Sequence, residues 1–318
     1  MAEHELSTVE EPMAIASVRE EHPRLKEFLF SLRRFLRNPL TIVGLAIVVF
    51  FALMAAFAPV IEPPPTPSNP YLMPHTGWQQ TPSPPSAVHP LGTLEQQYDL
   101  LYGVVWGARS AFKIGVSVVL ANLILGVILG ALAGYFGGVI DEIIMRITDI
   151  FFAIPFLIMA MALVVAIGRG LQSIVLVLVV LGWPQYTRVI RGEILIIRDR
   201  EFIQAARASG SSHMRTLMKH ILPNSIYSVL IIASMQVGVT VLNAAALSFL
   251  GLGAESGYAD WGQMVSSARN WIIGPAGDRL AYWYVVFIPG FVIALFVLGW
   301  NLLGDAARDV FDPRMRRR

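Results

Sequence analysis

The chain has 318 residues, 55% of them hydrophobic and 14% charged, with a formal net charge of +2 and no cysteine. Soluble proteins carry about 25% charged residues, so the deficit excludes an ordinary water-soluble domain. The small net charge gives no support to a nucleic-acid partner, and the lack of cysteine rules out disulfides and thiolate metal sites.

Residues 1–39 read as a polar cytoplasmic tail. An acidic opening (Glu3, Glu5, Glu10, Glu11) is expected to be disordered. From Pro23 to Asn38 follows a basic amphipathic helix with Phe28, Leu32 and Phe35 on one face and Arg33, Arg34 and Arg37 beside them. Such a helix suits a membrane interface; a plain juxtamembrane anchor is the equal alternative. The first apolar run starts only at Leu40 and lacks a small-residue cleavage pattern, so residues 40–61 read as a retained membrane helix, not a signal peptide.

Residues 62–111 form a Pro-rich extracytoplasmic segment, without Lys or Arg as far as Pro90. Residues 112–303 hold five further apolar runs, each close to the length of about 20 residues that crosses a hydrocarbon core. They are Phe112 to Tyr135, Ile143 to Ile167, Leu171 to Ile190, Ser225 to Leu250 and Tyr282 to Leu303, with a polar segment from Arg191 to Asn224 between the third and fourth of these. Residues 304–318 are a cytoplasmic tail. The fold class is thus all-α, a membrane protein of six transmembrane helices.

Basic residues set the direction. Six Lys and Arg precede Leu40, Arg146 follows the second span, seven lie from Arg188 to Lys219 and five from Arg308 to Arg318. The other side keeps Arg109, Lys113, Arg169, Arg269 and Arg279. The positive-inside rule therefore places both termini and the 191–224 loop in the cytoplasm, with the chain multi-pass in the cytoplasmic (inner) membrane.

Gly126, Gly130 and Gly134 recur at intervals of four, a small-residue stripe that permits close helix contact in lipid; packing inside one bundle is the expected use. Asn122, Gln236 and Asn243 are the strongly polar residues at depth. No chain of Asp, Glu and His crosses the spans as proton-coupled transport requires, so energy enters from elsewhere. Neither a phosphate loop nor a nucleophile–base or metal constellation is present, so the chain reads as neither an ATPase nor another enzyme, and no cofactor is expected. The histidines lack i, i+4 metal spacing; His213 and His220 read as solvated or docking residues. Trp261, Trp271 and Trp283 suit an interfacial aromatic belt, and Asp305, Arg308 and Asp309 a solvated helix end.

The loop itself carries the most information. Arg200 to Asn224 reads as two short helices joined at Gly210, the first a strong helix former with a small face at Ala205, Ala206 and Ala208. Gly210 can take the left-handed conformation that ends it, Ser211 or Ser212 can cap a second short helix, and Pro223 is expected to break the pattern before the next span. A compact, basic helix–Gly–helix is a shape that docks into a groove on another protein.

This segment resembles the coupling loop of ABC importer permeases, a Glu-Ala-Ala signature followed by Gly and an Ile-x-Leu-Pro-like ending. The matching residues are Gln204, Ala205, Ala206, Gly210, Ile221, Leu222 and Pro223, with Gln204 in place of the glutamate and Glu201 nearly one turn earlier. His89-Pro-Leu-Gly-Thr93, Gly107-Ala-Arg109, Ser248-Phe-Leu-Gly-Leu-Gly253, Asp260-Trp-Gly-Gln-Met264 and Asn301-Leu-Leu-Gly-Asp305 narrow the resemblance to the dipeptide/oligopeptide permeases. Relatives usually carry an acidic–basic cluster just after the first of these motifs, where this chain has Leu94, Gln96 and Gln97, so no role of that cluster transfers. The resemblance implies a type I importer permease fold and a partner set of a second homologous permease, two cytoplasmic ATPase subunits and an extracytoplasmic solute-binding protein. It also implies that residues 204–223 couple the ATPases to the spans, and that the cargo is a dipeptide or oligopeptide. Nickel or an oligosaccharide in the same machinery remains open as cargo, as does a secondary transporter working alone.

Overall fold

A computed structural model describes residues 38–275 and 277–311, with side chains through 308. The expected N-terminal amphipathic helix and most of the C-terminal basic cluster lie outside these residues. Among the described residues five helices are long and apolar enough to cross a membrane, and a bent pair makes a sixth crossing element.

Helix α1 (Pro39–Ile61) starts where the Asn38 side chain accepts from the Leu40 amide at 3.0 Å, with proline in the first turn. Helix α2 (Leu100–Phe136) is capped by Asp99, which accepts from the Tyr102 amide at 2.9 Å. The expected start at Phe112 is thus twelve residues late. At 1.5 Å per residue α2 is about 55 Å long against a hydrocarbon core of about 30 Å, so its first turns stand outside the membrane and are buried by protein.

The expected single span from Ile143 to Ile167 is two helices, α3 (Gly138–Ala153) and α4 (Phe156–Ile167), bent by 93°. Pro155 causes the break: it forces Ile154 into an extended conformation (φ −106°, ψ 133°). Helix α5 (Leu171–Arg198) continues past Ile190, so the polar segment begins as helix. Its arginines are used there. Arg191 chelates Asp141 of α3, one of the two contacts at 2.6 Å, and Arg198 donates to the Gly134 carbonyl at 2.9 Å.

Short helices α6 (Glu201–Ala208) and α7 (His213–Thr216) follow. Pro223 does not interrupt what comes next. Residues 217–221 form one wide π turn, closed by the Leu222 amide donating to the Leu217 carbonyl, and lead directly into α8 (Leu222–Phe249). The wider turn relieves the clash a proline ring makes with the carbonyl four residues back. Side chains of Asn224 and Ser225 bond the His220 and Ile221 carbonyls at 2.6 and 2.9 Å. Helices α9 (Trp261–Ser267) and α10 (Trp283–Phe311) complete the chain, α10 carrying helix well into the expected tail.

Packing places α2 and α5 in the most extensive contact, with α8 against both and α10 between α1 and α8. The glycine stripe closes the α2–α5 seam. A β-carbon at Gly130 would overlap Ile190 Cγ2 and come within 2.6 Å of the Thr187 carbonyl; one at Gly126 would overlap Tyr186. Intrachain packing is therefore the use of that stripe.

Residues 62–99 and 250–282 fold over the extended end of α2 as a cap. Trp106 donates to the Glu62 carbonyl at 2.9 Å and Tyr102 to the Pro70 carbonyl at 2.6 Å. Trp261 is buried, contrary to the expected interfacial role. It donates to the Val104 carbonyl at 3.1 Å, rests on Gly107, and meets Phe51 at a tilt and Phe296 edge-on at centroid distances of 5.6 Å each. Trp283 is half exposed, while Trp271 donates to Glu95 at 3.2 Å. Leu94 is buried and Gln97 donates to the Thr81 carbonyl at 2.6 Å while accepting from Ser83 at 2.9 Å. Both residues are thus pieces of this cap. The turn after α8 closes at Gly251, whose φ is +80°.

Candidate functional site: the 199–223 loop and a polar cleft

The Glu201–Pro223 segment has two faces. Ile203, Leu217 and Ile221 are fully buried or nearly so and fasten it to the ends of the long helices. Tyr135 at the end of α2 holds both short helices: its hydroxyl shares a hydrogen bond with His213 at 2.9 Å, and the Arg207 guanidinium lies 5.6 Å from its ring centroid. His213, expected to be solvated or docking, is exposed and has this one hydrogen bond to α2.

The opposite face is exposed. It includes Glu201, Gln204, Ala205, Gly210 and Pro223, with Ala206 and Leu222 partly covered. Gln204 donates its side-chain amide to the Asp199 carbonyl at 3.2 Å; a glutamate has no such donor. Gly210 has φ +80°, as its helix-ending role requires, and open space around its Cα. Ser212 caps α7 through the Arg215 amide at 3.4 Å.

Sequence reasoning missed the apolar part of this face. Phe202 (48% exposed), Met214 (64%) and Met218 (55%) point away from the protein. The sequence hid them, because positions 214, 217, 218 and 221 have the i, i+3, i+4, i+7 spacing of a single helix face, of which only Leu217 and Ile221 are buried. An open cleft of about 710 Å³ adjoins Phe202, lined also by Ile197, Asp199, Arg200, Glu201 and Asn224.

A second cavity, about 400 Å³, opens inside the helix bundle at the α3–α4 break. Asn122 of α2, Gln185 of α5, and Gln236, Thr240 and Asn243 of α8 line it among apolar side chains. The Gln236 amide donates to Gln185 Oε1 at 2.6 Å, and Asn122 donates to the Leu178 carbonyl at 3.2 Å. Beside the cavity Arg188 donates to Asp149 at 2.7 Å with its guanidinium 4.3 Å from the Phe152 ring centroid. Gln185, Asp149 and Arg188 are additions to the polar residues picked out from sequence.

A helical bundle with a broken crossing, an inner polar cleft and a projecting helix–Gly–helix is the shape of a transport component. The family model for the binding-protein-dependent transport system inner membrane component matches residues 126–317, and that for the N-terminal transmembrane domain of oligopeptide transport permease C matches residues 30–85. The chain belongs to this permease family.

Similar proteins include the dipeptide transport system permease protein DppC of Alkalihalophilus pseudofirmus, 38% identical over 88% of each chain. The oligopeptide transport system permease protein OppC of Bacillus subtilis is 35% identical over 89% of this chain and 88% of its own. The glutathione transport system permease protein GsiD of Pectobacterium atrosepticum is 34% identical over 89% and 90%. Among solved structures, the inward-facing MetNI methionine ABC transporter shares the fold, with a TM-score of 0.53 at 21% identity over 66% of this permease and 97% of that chain. The permease is therefore a multi-pass inner-membrane subunit of an ABC importer, with a transport role and not an enzymatic one.

Proposed function

We propose that this permease forms half of the translocation path of a peptide importer, with the loop from Glu201 to Pro223 as the part that receives the ATPase stroke. The observation that carries the reading is the two-faced loop. Ile203, Leu217 and Ile221 anchor it in the bundle while Phe202, Met214 and Met218 stand exposed around Gly210. Exposed apolar side chains clustered on a rigid base are what a partner groove covers. Rigid-body motion passed through such a base gives alternating access.

The peptide cargo is supported by the names of the relatives, all carriers of short peptides. The full assembly would hold a second, homologous permease, two cytoplasmic ATPase subunits and an extracytoplasmic solute-binding protein. The distribution of Lys and Arg supports a cytoplasmic position for both termini and for the loop.

The test is transport by the purified assembly in liposomes. Uptake of short peptides that requires both ATP and the binding protein is the expected result. Solute flux through this chain alone, without ATP, sinks the reading in favour of a secondary transporter; ATP-driven uptake of nickel or an oligosaccharide but no peptide keeps the machinery and replaces the cargo.

A further inference from the structure

Peptides that differ in every side chain share one chemistry, the backbone amide with one donor and one acceptor. We propose that the 400 Å³ cleft at the α3–α4 break is a station that binds the peptide backbone in transit, through the carboxamides of Asn122, Gln185, Gln236 and Asn243. The inference rests on the peptide-cargo reading and adds to it the residues that meet the cargo inside the membrane.

Three observations carry it. The cleft has no Asp, Glu, Lys or Arg in its lining, so neither a charged terminus nor a charged side chain is trapped by a fixed charge. Its polar side chains come from three different helices, α2, α5 and α8, and all but Tyr186 and Thr240 are carboxamides, which offer both donors and acceptors. Finally, Asn122 is only 3% exposed and its Oδ1 has no partner. A buried acceptor left without a hydrogen bond costs roughly 1–3 kcal/mol, a cost that a passing amide N–H relieves. The side chain is held there by design of its surroundings: its amide nitrogen is bonded to Leu178, and a β-carbon on Gly182 would overlap it.

The neighbouring pair Asp149 and Arg188 is already internally neutralised at 2.7 Å. It leaves the cleft itself as a neutral, sequence-tolerant surface, with hydrogen bonds that exchange easily between one amide and the next. Gln236 donates to Gln185 at 2.6 Å, so a peptide group entering between them trades one amide bond for another.

The test makes the neutral station charged. Gln236→Glu and Asn243→Asp are introduced separately into the complete importer in liposomes, and uptake of a lysine-centred tripeptide is measured against a glutamate-centred one. The binding protein is unchanged, so any new preference arises in the membrane. The expected result is a shift of the uptake ratio by about tenfold toward the lysine peptide. A ratio within twofold of the unmodified importer, with ATP hydrolysis still stimulated by binding protein, overturns the inference. If neither charged variant assembles, Gln236→Leu and Asn243→Leu take their place: uptake of both peptides drops about tenfold with stimulated hydrolysis retained, and undiminished uptake overturns the inference. An unmodified importer that moves neither peptide overturns the cargo reading instead.

Discussion

The cap over α2 and the Glu201–Pro223 loop both cover helix ends, yet they are built on opposite principles. In the cap, large side chains face one another. Tyr102, Trp106 and Trp261 are buried, each with its polar atom spent on a backbone carbonyl, and Trp261 sits flat on Gly107. In the loop the large apolar residues Phe202, Met214 and Met218 face outward, and the anchors are few: Ile203, Leu217 and Ile221 in the core and His213 on Tyr135. Buried, satisfied polar groups specify one arrangement; exposed apolar groups wait for a second surface. The cap has its large side chains turned inward, and the loop leaves Phe202, Met214 and Met218 exposed.

The largest effect expected from this difference is in the cap. Gly107→Val drives a side chain into the Trp261 indole, and overpacking of this kind costs about 1–3 kcal/mol or more. The variant is expected to lose most of its monodisperse, detergent-extracted protein, measured by size-exclusion chromatography. A normally folded Gly107→Val protein would show that the cap is as yielding as the loop.

Gly210→Val should act the other way. Space is no obstacle there, because nothing lies within 4 Å of a β-carbon at this position. The backbone is: at φ +80° a β-branched residue is strained by about 1–2 kcal/mol, enough to reshape a short turn but not a bundle. Insertion and thermal unfolding are expected to stay near normal while uptake falls at least about tenfold. Normal uptake by a properly inserted variant removes Gly210 from the coupling mechanism.

The smallest expected effect concerns Asp260, the cap residue that starts α9 by accepting from the Gln263 amide at 3.0 Å. Burial raises its pKa above the usual carboxylate range, although the Ser248 hydroxyl and the amides of Gln263 and Gly262 work against that. A carboxyl with a raised native pKa favours the folded state most when protonated. Its contribution is fully present below the unfolded value near 4 and is lost as pH rises through the native value. The melting temperature should accordingly decline as pH rises from about 4 upward, and Asp260→Asn, which keeps a capping side chain, should flatten that slope. An identical slope in both proteins would assign the pH dependence to other groups.

What was legible in the sequence followed from local chemistry. Hydropathy marked the crossings, Lys and Arg marked a direction, and Gly210 marked a helix end because only a left-handed residue closes that turn. Asn122, Gln236 and Asn243 stood out as amides in apolar text. Pro155 was equally visible, but an unbroken apolar run from Ile143 to Ile167 masked the 93° bend it imposes. Pro223 misled in the reverse direction, since a π turn absorbed the proline that should have stopped the helix. The cap was illegible for another reason: its decisive contacts join residues far apart in the chain, Trp261 to Val104 and Trp271 to Glu95, and no local pattern announces them. Gln185 was hidden in the same way until Gln236 stood beside it.

The π turn has a geometric consequence. An α-helix advances about 100° with every residue, and one extra residue in a turn therefore offsets everything before it from everything after it by about that angle. Met214 sits on one side of the offset and Gln236 on the other, along a rod that is otherwise continuous from His213 to Phe249. Met214 and the amides of the cleft therefore stand about a quarter of a revolution away from the relative positions that an unbroken α-helix would give them.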